Sequence, residues 1–252
     1  MKSLVLTQPM FLPWPGLFEQ AMLADVLVFH DNIQLPRSHG RKKSFQTRVQ
    51  IKTFHGWRWL SLPVRRSGAS GSLICQAEFA ASPWRDEHLR QIERAYHRAP
   101  FFEQIWADVV RPIYERPTER VADFCEFGMT RILKMLKCDV PIYRSSQLDI
   151  PAALAGSRRV LAHCLHFGVT DYITGLGARN YIDYDLFEDH GIRIHYMDYA
   201  RTPYRQLYGA FDPYVSIIDL LFNTGPRARD YLRSTTRYWK TMSVETAVRA
   251  IK

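Results

Sequence analysis

The sequence lacks the features that mark several large classes of protein. It has 4 cysteines in 252 residues, at positions 75, 125, 138 and 164, and no two form a C-x-x-C pair. That spacing argues against a disulfide framework and a zinc ribbon, and it predicts reduced thiols in a cytoplasmic protein. No apolar run approaches the roughly 18–20 residues that span a bilayer. The opening stretch Ser3-Leu4-Val5-Leu6 is too short for the apolar core of a signal peptide. Ser157 and Ser216 have no G-x-S-x-G elbow, and no cysteine sits in a Cys-His-Asn context, which disfavours a serine or thiol nucleophile. No metal site is expected. Acids are missing from the whole segment 36–52, which carries Arg37, Arg41, Lys42, Lys43, Arg48 and Lys52.

What remains is the composition of a folded globular chain, 46% hydrophobic and 23% charged, long enough for one sizeable core. The net charge of +9 favours a polyanionic partner: a nucleotide, a nucleic acid or a charged membrane face.

The pattern along the chain is α/β. Ser3-Leu4-Val5-Leu6 and Asp25-Val26-Leu27-Val28-Phe29 are continuous apolar runs, as expected of parallel strands buried on both faces. Between them, Pro9, Pro13, Pro15 and Gly16 predict a stiff loop, and Leu17–Leu23 a helix. Further strands are predicted at 47–51, 57–64, 142–144, 172–174 and 192–197. Helices are predicted at 82–96, 101–116, 118–137, 157–167 and 183–190, with another ending near Gly225 and a basic helical tail from Pro226. Residues 66–72 read as an exposed loop. The expected architecture is a single domain, 1–252, with a mostly parallel sheet of Rossmann-like or nucleotidylyltransferase-like type and a helical insertion at about 82–137. In such sheets ligands bind beyond the C-terminal strand ends, so Thr7-Gln8 and His30-Asp31 should share one rim.

Several spacings together carry a resemblance. Gln8-Pro9, Pro13-Trp14 and Gly16 are followed by Ala24-Asp25 and Val28, then by Asp31 and Gln34. Later come Trp59-Leu60, Pro63-Val64, Tyr172, Gly175, Gly177, Tyr181, Tyr204, Gln206, and the run from Phe211 through Ser216 and Asp219 to Asn223 and Gly225. The chain resembles the WbqC-like family over nearly its whole length. It departs in the basic segment, where only Arg48, Ile51 and Lys52 match, and 82–137 matches loosely. The resemblance implies a modifying step on an activated sugar in surface-polysaccharide (O-antigen type) synthesis. One form of that step is transfer of an acyl or aminoacyl group, such as glycyl, to the amine of a nucleotide-linked amino sugar. The donor, whether tRNA, a carrier protein, coenzyme A or an ATP-activated amino acid, is left open, and no cofactor is assigned. A second resemblance, to the start of nucleotidylyltransferase folds, lacks the H-x-G-H histidines: Pro13-Trp14-Pro15-Gly16 stands there instead.

The candidate site follows from residue chemistry. Asp31, beside His30, is a candidate general base for an attacking amine. Gln8 and Gln34 offer amides, and Trp14 offers a flat face for a ring. Gly16 permits close backbone approach at a helix N-terminus. Arg48 and Lys52, on one face of a strand, form a candidate diphosphate clamp. Gly175, Arg179 and Tyr181 follow a strand end and suit nucleotide contact. Asp219, in an apolar helix, is expected to be a buried partner of an arginine. His163 and His166 share a helical face and are expected at the surface. The competing readings are an RNA- or tRNA-binding protein using 37–52 and 227–240, and a nucleotidylyltransferase-like enzyme.

Overall fold

In a computed structural model the described residues are 2–36, 45–65 and 72–242. The basic run 37–43 and most of the loop 66–72 lie outside them. The chain opens with β1 (Ser3–Thr7), α1 (Pro15–Met22) and β2 (Val26–Phe29). A two-stranded hairpin follows, β3 (Arg48–Thr53) and β4 (Gly56–Ser61). Next come α2 (Trp84–Tyr96), α3 (Phe102–Ile105), α4 (Arg111–Glu115) and α5 (Val121–Met135). A single π-helical stretch, Trp106–Val110, joins α3 to α4. The α/β pattern resumes with β5 (Ile142–Arg144), α6 (Gly156–Phe167), β6 (Asp171–Thr174), α7 (Tyr184–Glu188) and β7 (Arg193–Asp198). The last elements are α8 (Ile217–Thr224) and β8 (Thr235–Tyr238).

The main sheet has the order β5-β2-β1-β6-β7-β8. Its first five strands are parallel, and β8 runs antiparallel to β7. Counted in chain order, the parallel strands stand 3-2-1-4-5, the arrangement of a doubly wound sheet. The fold is therefore α/β with a mostly parallel sheet. The order reverses between β1 and β6, so the connections leaving these two strands diverge and open a crevice at their C-terminal ends.

Alternation along each strand feeds two cores. Val5, Leu27, Phe29 and Ile173 pack with α1, the inserted helices and α8. Leu4, Val26, Val28, Tyr172 and Ile194 pack with α6 and α7 on the other face. This two-sided burial explains why β1 and β2 read as unbroken apolar runs.

Two expectations need correction, for the helix after β1 and for the tail, and the sequence leaves open the sheet membership of the 48–61 strands. The helix expected from Leu17 starts at Pro15, because proline at the first helical position lacks only an N–H the helix cannot use. The strands at 48–61 do not join the main sheet but pair with each other, from Arg48 opposite Ser61 to Thr53 opposite Gly56. The tail after Pro226 is not a plain helix. It is a 3-10 stretch, Gly225–Tyr231, and then β8, which covers the edge of β7.

Candidate functional site

The rim of the sheet carries two clefts, one on each side of Gln8. The first, of about 690 Å³, lies over the ends of β6 and β7 and is roofed by the β3–β4 hairpin. Its walls are rings: Trp14 from the loop after β1, Trp59 from β4, and Tyr199 and Tyr214. Gly175 and Gly177, beyond β6, form part of the floor. Its cations are Arg48 and Arg201. The Arg48 guanidinium stacks on Trp59 at 3.8 Å from the ring centroid, and its buried Nε has no hydrogen-bond partner among the described residues. Arg201 stands 5.6 Å from the Tyr214 ring. A cation over an exposed aromatic face is attracted by about 0.5–1 kcal/mol, and together they make a slot for a flat ring next to a charge.

The aromatic cleft is held by a strained loop. Leu12 has φ +40° and Arg201 has φ +52°, a left-handed region that non-glycine residues rarely enter. Leu12 stays there because its side chain is buried and its carbonyl accepts from Ser216 Oγ at 2.7 Å. The Pro13 carbonyl accepts from Ile217 N at 2.8 Å, and Phe11 N donates to the Gln46 carbonyl at 2.8 Å. The loop is thereby tied to the hairpin and to the start of α8. Outliers of this kind cluster at ligand sites, where surrounding contacts hold them.

Gly16 is needed here for a reason the sequence did not disclose. A Cβ on it would stand 2.8 Å from Trp14 Nε1 and 3.1 Å from the Tyr199 ring. The space before this helix start is filled by the two rings themselves. Tyr199 takes a hydrogen bond from the Gly16 backbone and donates to the Pro213 carbonyl at 2.8 Å.

The second cleft, of about 850 Å³, lies between the ends of β1 and β2 and the head of α6. Gln8, His30, Asn32, Gln34, Arg159 and Tyr181 line it. Gln8 accepts a hydrogen bond from Gln46, and this bridge stands beside Phe45, which lines the first cleft. Three buried polar atoms on the second cleft's walls have no partner among the described residues: His30 Nε2, Asn32 Oδ1 and Arg159 Nε. Burial pushes the His30 imidazole down to about 3, aided by the nearby His163 and Arg159, so it is neutral at pH 7.

The expected site residues thus divide. Trp14, Arg48 and Gly175 meet in the first cleft, and Gln8, His30, Gln34 and Tyr181 in the second. Asp31, Gly16, Lys52 and Arg179 line neither. Asp31 is buried, and its two oxygens accept from Ser146 N at 2.8 Å and Ser146 Oγ at 2.5 Å, which ties β2 to the turn after β5. Lys52 Nζ donates to Gln206 Oε1 at 2.6 Å and to the Ala210 carbonyl. Arg179 packs over Tyr196 and donates to Met242 Sδ.

Two buried groups differ from expectation. Asp219 is not paired with an arginine. It accepts from Tyr96 at 3.0 Å, Tyr204 at 2.9 Å and Asn223 at 3.3 Å, and burial lifts its carboxyl to about 6. His163 is fully buried rather than at the surface. Its Nδ1 must donate to the Arg159 carbonyl at 2.7 Å, which leaves Nε2 to accept from Ser145 Oγ at 2.7 Å.

Several site residues escaped sequence reasoning. Tyr199 and Asn32 follow the ends of β7 and β2, where the strand-end rule would have found them. Arg159 gave no signal, since Arg158 beside it is exposed.

Comparisons with known proteins agree with the motifs. The model of the WbqC-like protein family matches residues 8–231. A protein of Mycobacterium tuberculosis (strain ATCC 25618 / H37Rv), named Uncharacterized protein Rv1507c, is 32% identical over 235 residues, spanning 92% of this chain and 98% of its own. No solved structure matches. With a family match that runs from Gln8 to Tyr231, the chain belongs to the WbqC-like protein family.

Proposed function

We propose that this protein is a group transferase of surface-polysaccharide biosynthesis. It moves an acyl or aminoacyl group onto the amine of a nucleotide-linked amino sugar. The observation that carries this reading is the aromatic cleft at the crevice of the sheet, with Arg48 stacked on Trp59 beside Trp14. Its volume of about 690 Å³ is that of a small-molecule site, and a ring slot flanked by cations suits a base and its diphosphate. The second cleft, on the other side of the Gln8–Gln46 bridge, gives room for a second reactant.

The chemistry asked of such a site is modest. The amine attacks the acyl carbonyl, a C–N bond forms, the bond to the donor's leaving group breaks, and the amine loses a proton. Holding both reactants in line supplies most of the acceleration. His30 is the imidazole that lines the reactant space, while Asp31 is occupied with Ser146. A nucleotide-linked acceptor fits a cytoplasmic location, and among the described residues no helix is long and apolar enough to cross a membrane.

The test is a thermal-shift and titration screen of nucleoside diphosphates, nucleotide sugars with and without an amino group, and bulk tRNA. Mass spectrometry of acylated product then follows with candidate donors. One nucleotide amino sugar should stabilise the protein, and Trp14→Ala should weaken it at least tenfold. Stabilisation by tRNA alone, untouched by Trp14→Ala, would replace the transferase with an RNA-binding protein.

A further inference from the structure

The first N–H groups of an α-helix have no intrahelical acceptor, and they carry the positive end of its dipole. α6 is 12 residues long and begins at Gly156 with no cap. Ala155, in the N-cap position, has no side-chain oxygen, and the first turn holds no acid. The nearest hydroxyl is committed elsewhere: Ser157 Oγ donates to the Tyr181 carbonyl at 2.9 Å and accepts from Asp183 N at 2.8 Å. Ala155 and Gly156 both line the second cleft, and a Cβ on Gly156 would meet nothing within 4 Å. The helix therefore opens its positive end onto free space.

An independent observation points into the same space. Arg159, one turn along α6, lines the cleft and is only 8% exposed. Among the described residues it reaches only backbone carbonyls, of Ala152, Leu154 and Asn32, each at 3.4 Å, and its Nε has no partner there. Among the described residues no carboxylate pairs with it. A buried guanidinium without a counter-charge is costly, and a helix start without a cap adds to the same positive field. The facing imidazole of His30 feels it: Arg159 helps to keep that ring uncharged.

We propose that this cleft is an oxyanion site, which seats the carboxylate or phosphate group of a small molecule between Arg159 and the uncapped start of α6. The guanidinium supplies the planar fork that both oxyanions fit. Asn32, whose carbonyl accepts from Arg159, adds an Oδ1 acceptor without a partner among the described residues. The site is distinct from the aromatic cleft and does not depend on which group is transferred.

The test uses bare anions on the full chain: inorganic phosphate and acetate, titrated calorimetrically against sodium chloride of equal ionic strength. One of the two should bind saturably, and which one does separates a phosphate from a carboxylate ligand. Arg159→Gln should weaken that binding at least tenfold. Ala155→Asp places a carboxylate at an exposed N-cap position, in extended backbone that suits a cap. It should raise the melting temperature and also weaken anion binding at least tenfold, because the added group occupies the site. This second variant carries the test if Arg159→Gln does not fold. Absence of saturable binding by either anion, or affinities unchanged in both variants, would overturn the proposal. Neither result would touch the nucleotide-sugar titration, so the transferase reading stands or falls separately.

Discussion

Two clefts share one sheet edge and are built in opposite ways. The first is walled by aromatic rings. Trp14, Trp59, Tyr199 and Tyr214 wall it, and its charge is spread over ring faces. The second is open in the sense of unmet hydrogen bonds, with His30 Nε2, Asn32 Oδ1 and Arg159 Nε all buried and unpartnered among the described residues. The difference teaches that neighbours in sequence need not serve one site. Gln8 and Trp14 are six positions apart, yet the strained loop through Leu12 sends them to different clefts. A ring slot selects for shape, whereas a set of orphaned polar atoms selects for charge and donors.

The sharpest way to break the comparison is Gly16→Ala. The new methyl would press on Trp14 Nε1 at 2.8 Å and on the Tyr199 ring, so the indole must move. Overpacking of this kind costs about 1–3 kcal/mol. Nucleotide-sugar affinity should fall more than tenfold, while titration of the second cleft with phosphate or acetate stays the same. Equal damage to both clefts would show that they are one site.

Asp31→Asn should cost about 2 kcal/mol, because the amide cannot accept from both Ser146 N and Ser146 Oγ as the carboxylate does. For a chain of this size that is a drop of several degrees in Tm. A collapse of kcat with unchanged melting would instead make Asp31 a chemical participant and link it to the second cleft.

A pH experiment probes the second cleft alone. Unfolded His30 titrates near 6.5, but the folded imidazole is held down at about 3. Its contribution to stability is present above pH 6.5 and is lost as pH falls through that window, by roughly 3 kcal/mol at pH 4.5. Glu126, pushed up to about 7 by burial, gives the opposite slope: its contribution is present at low pH and is lost as pH rises towards 7. The difference between wild type and His30→Asn, followed by thermal melting from pH 7.5 to 4.5, should isolate the His30 slope.

The smallest effect is expected from Arg48→Lys. The charge is kept, but the planar stack on Trp59 is lost. Affinity for a nucleotide ligand should fall about two- to fivefold, on the order of 0.5–1 kcal/mol. An unchanged affinity would mean that the guanidinium plane only packs.

Much of the architecture was legible in the residue pattern. The apolar runs at 3–6 and 25–29 declared β1 and β2, because strands covered on both faces carry no polar alternation. The helix patterns at 82–96 and 157–167 fell within a residue or two of α2 and α6. The edge strand β8 was not legible, since Thr235–Tyr238 is short and half exposed, and a strand of that kind exists only because β7 offers it an edge. Of the candidate site residues, some line one cleft or the other while Asp31, Gly16, Lys52 and Arg179 line neither, and the partners that place them were not legible. Lys52 and Arg48 lie on one strand at even spacing, yet Gln206, 154 positions away, draws Lys52 into the interior while Trp59 keeps Arg48 at the cleft.

By itself the sequence determined the α/β class and the family, and it pointed to the C-terminal rim of the sheet as the candidate site. Each rests on local pattern: apolar period, proline and glycine placement, and the spacing of a few polar residues after strand ends. Only the tertiary structure decided that the rim holds two clefts, that Asp31 is tied to Ser146, and that Arg159 stands without a counter-charge among the described residues. Those facts depend on which distant side chains arrive beside which, and on what is left unpaired once they have. Local pattern does not encode that remainder, because burial and pairing are properties of the packed whole.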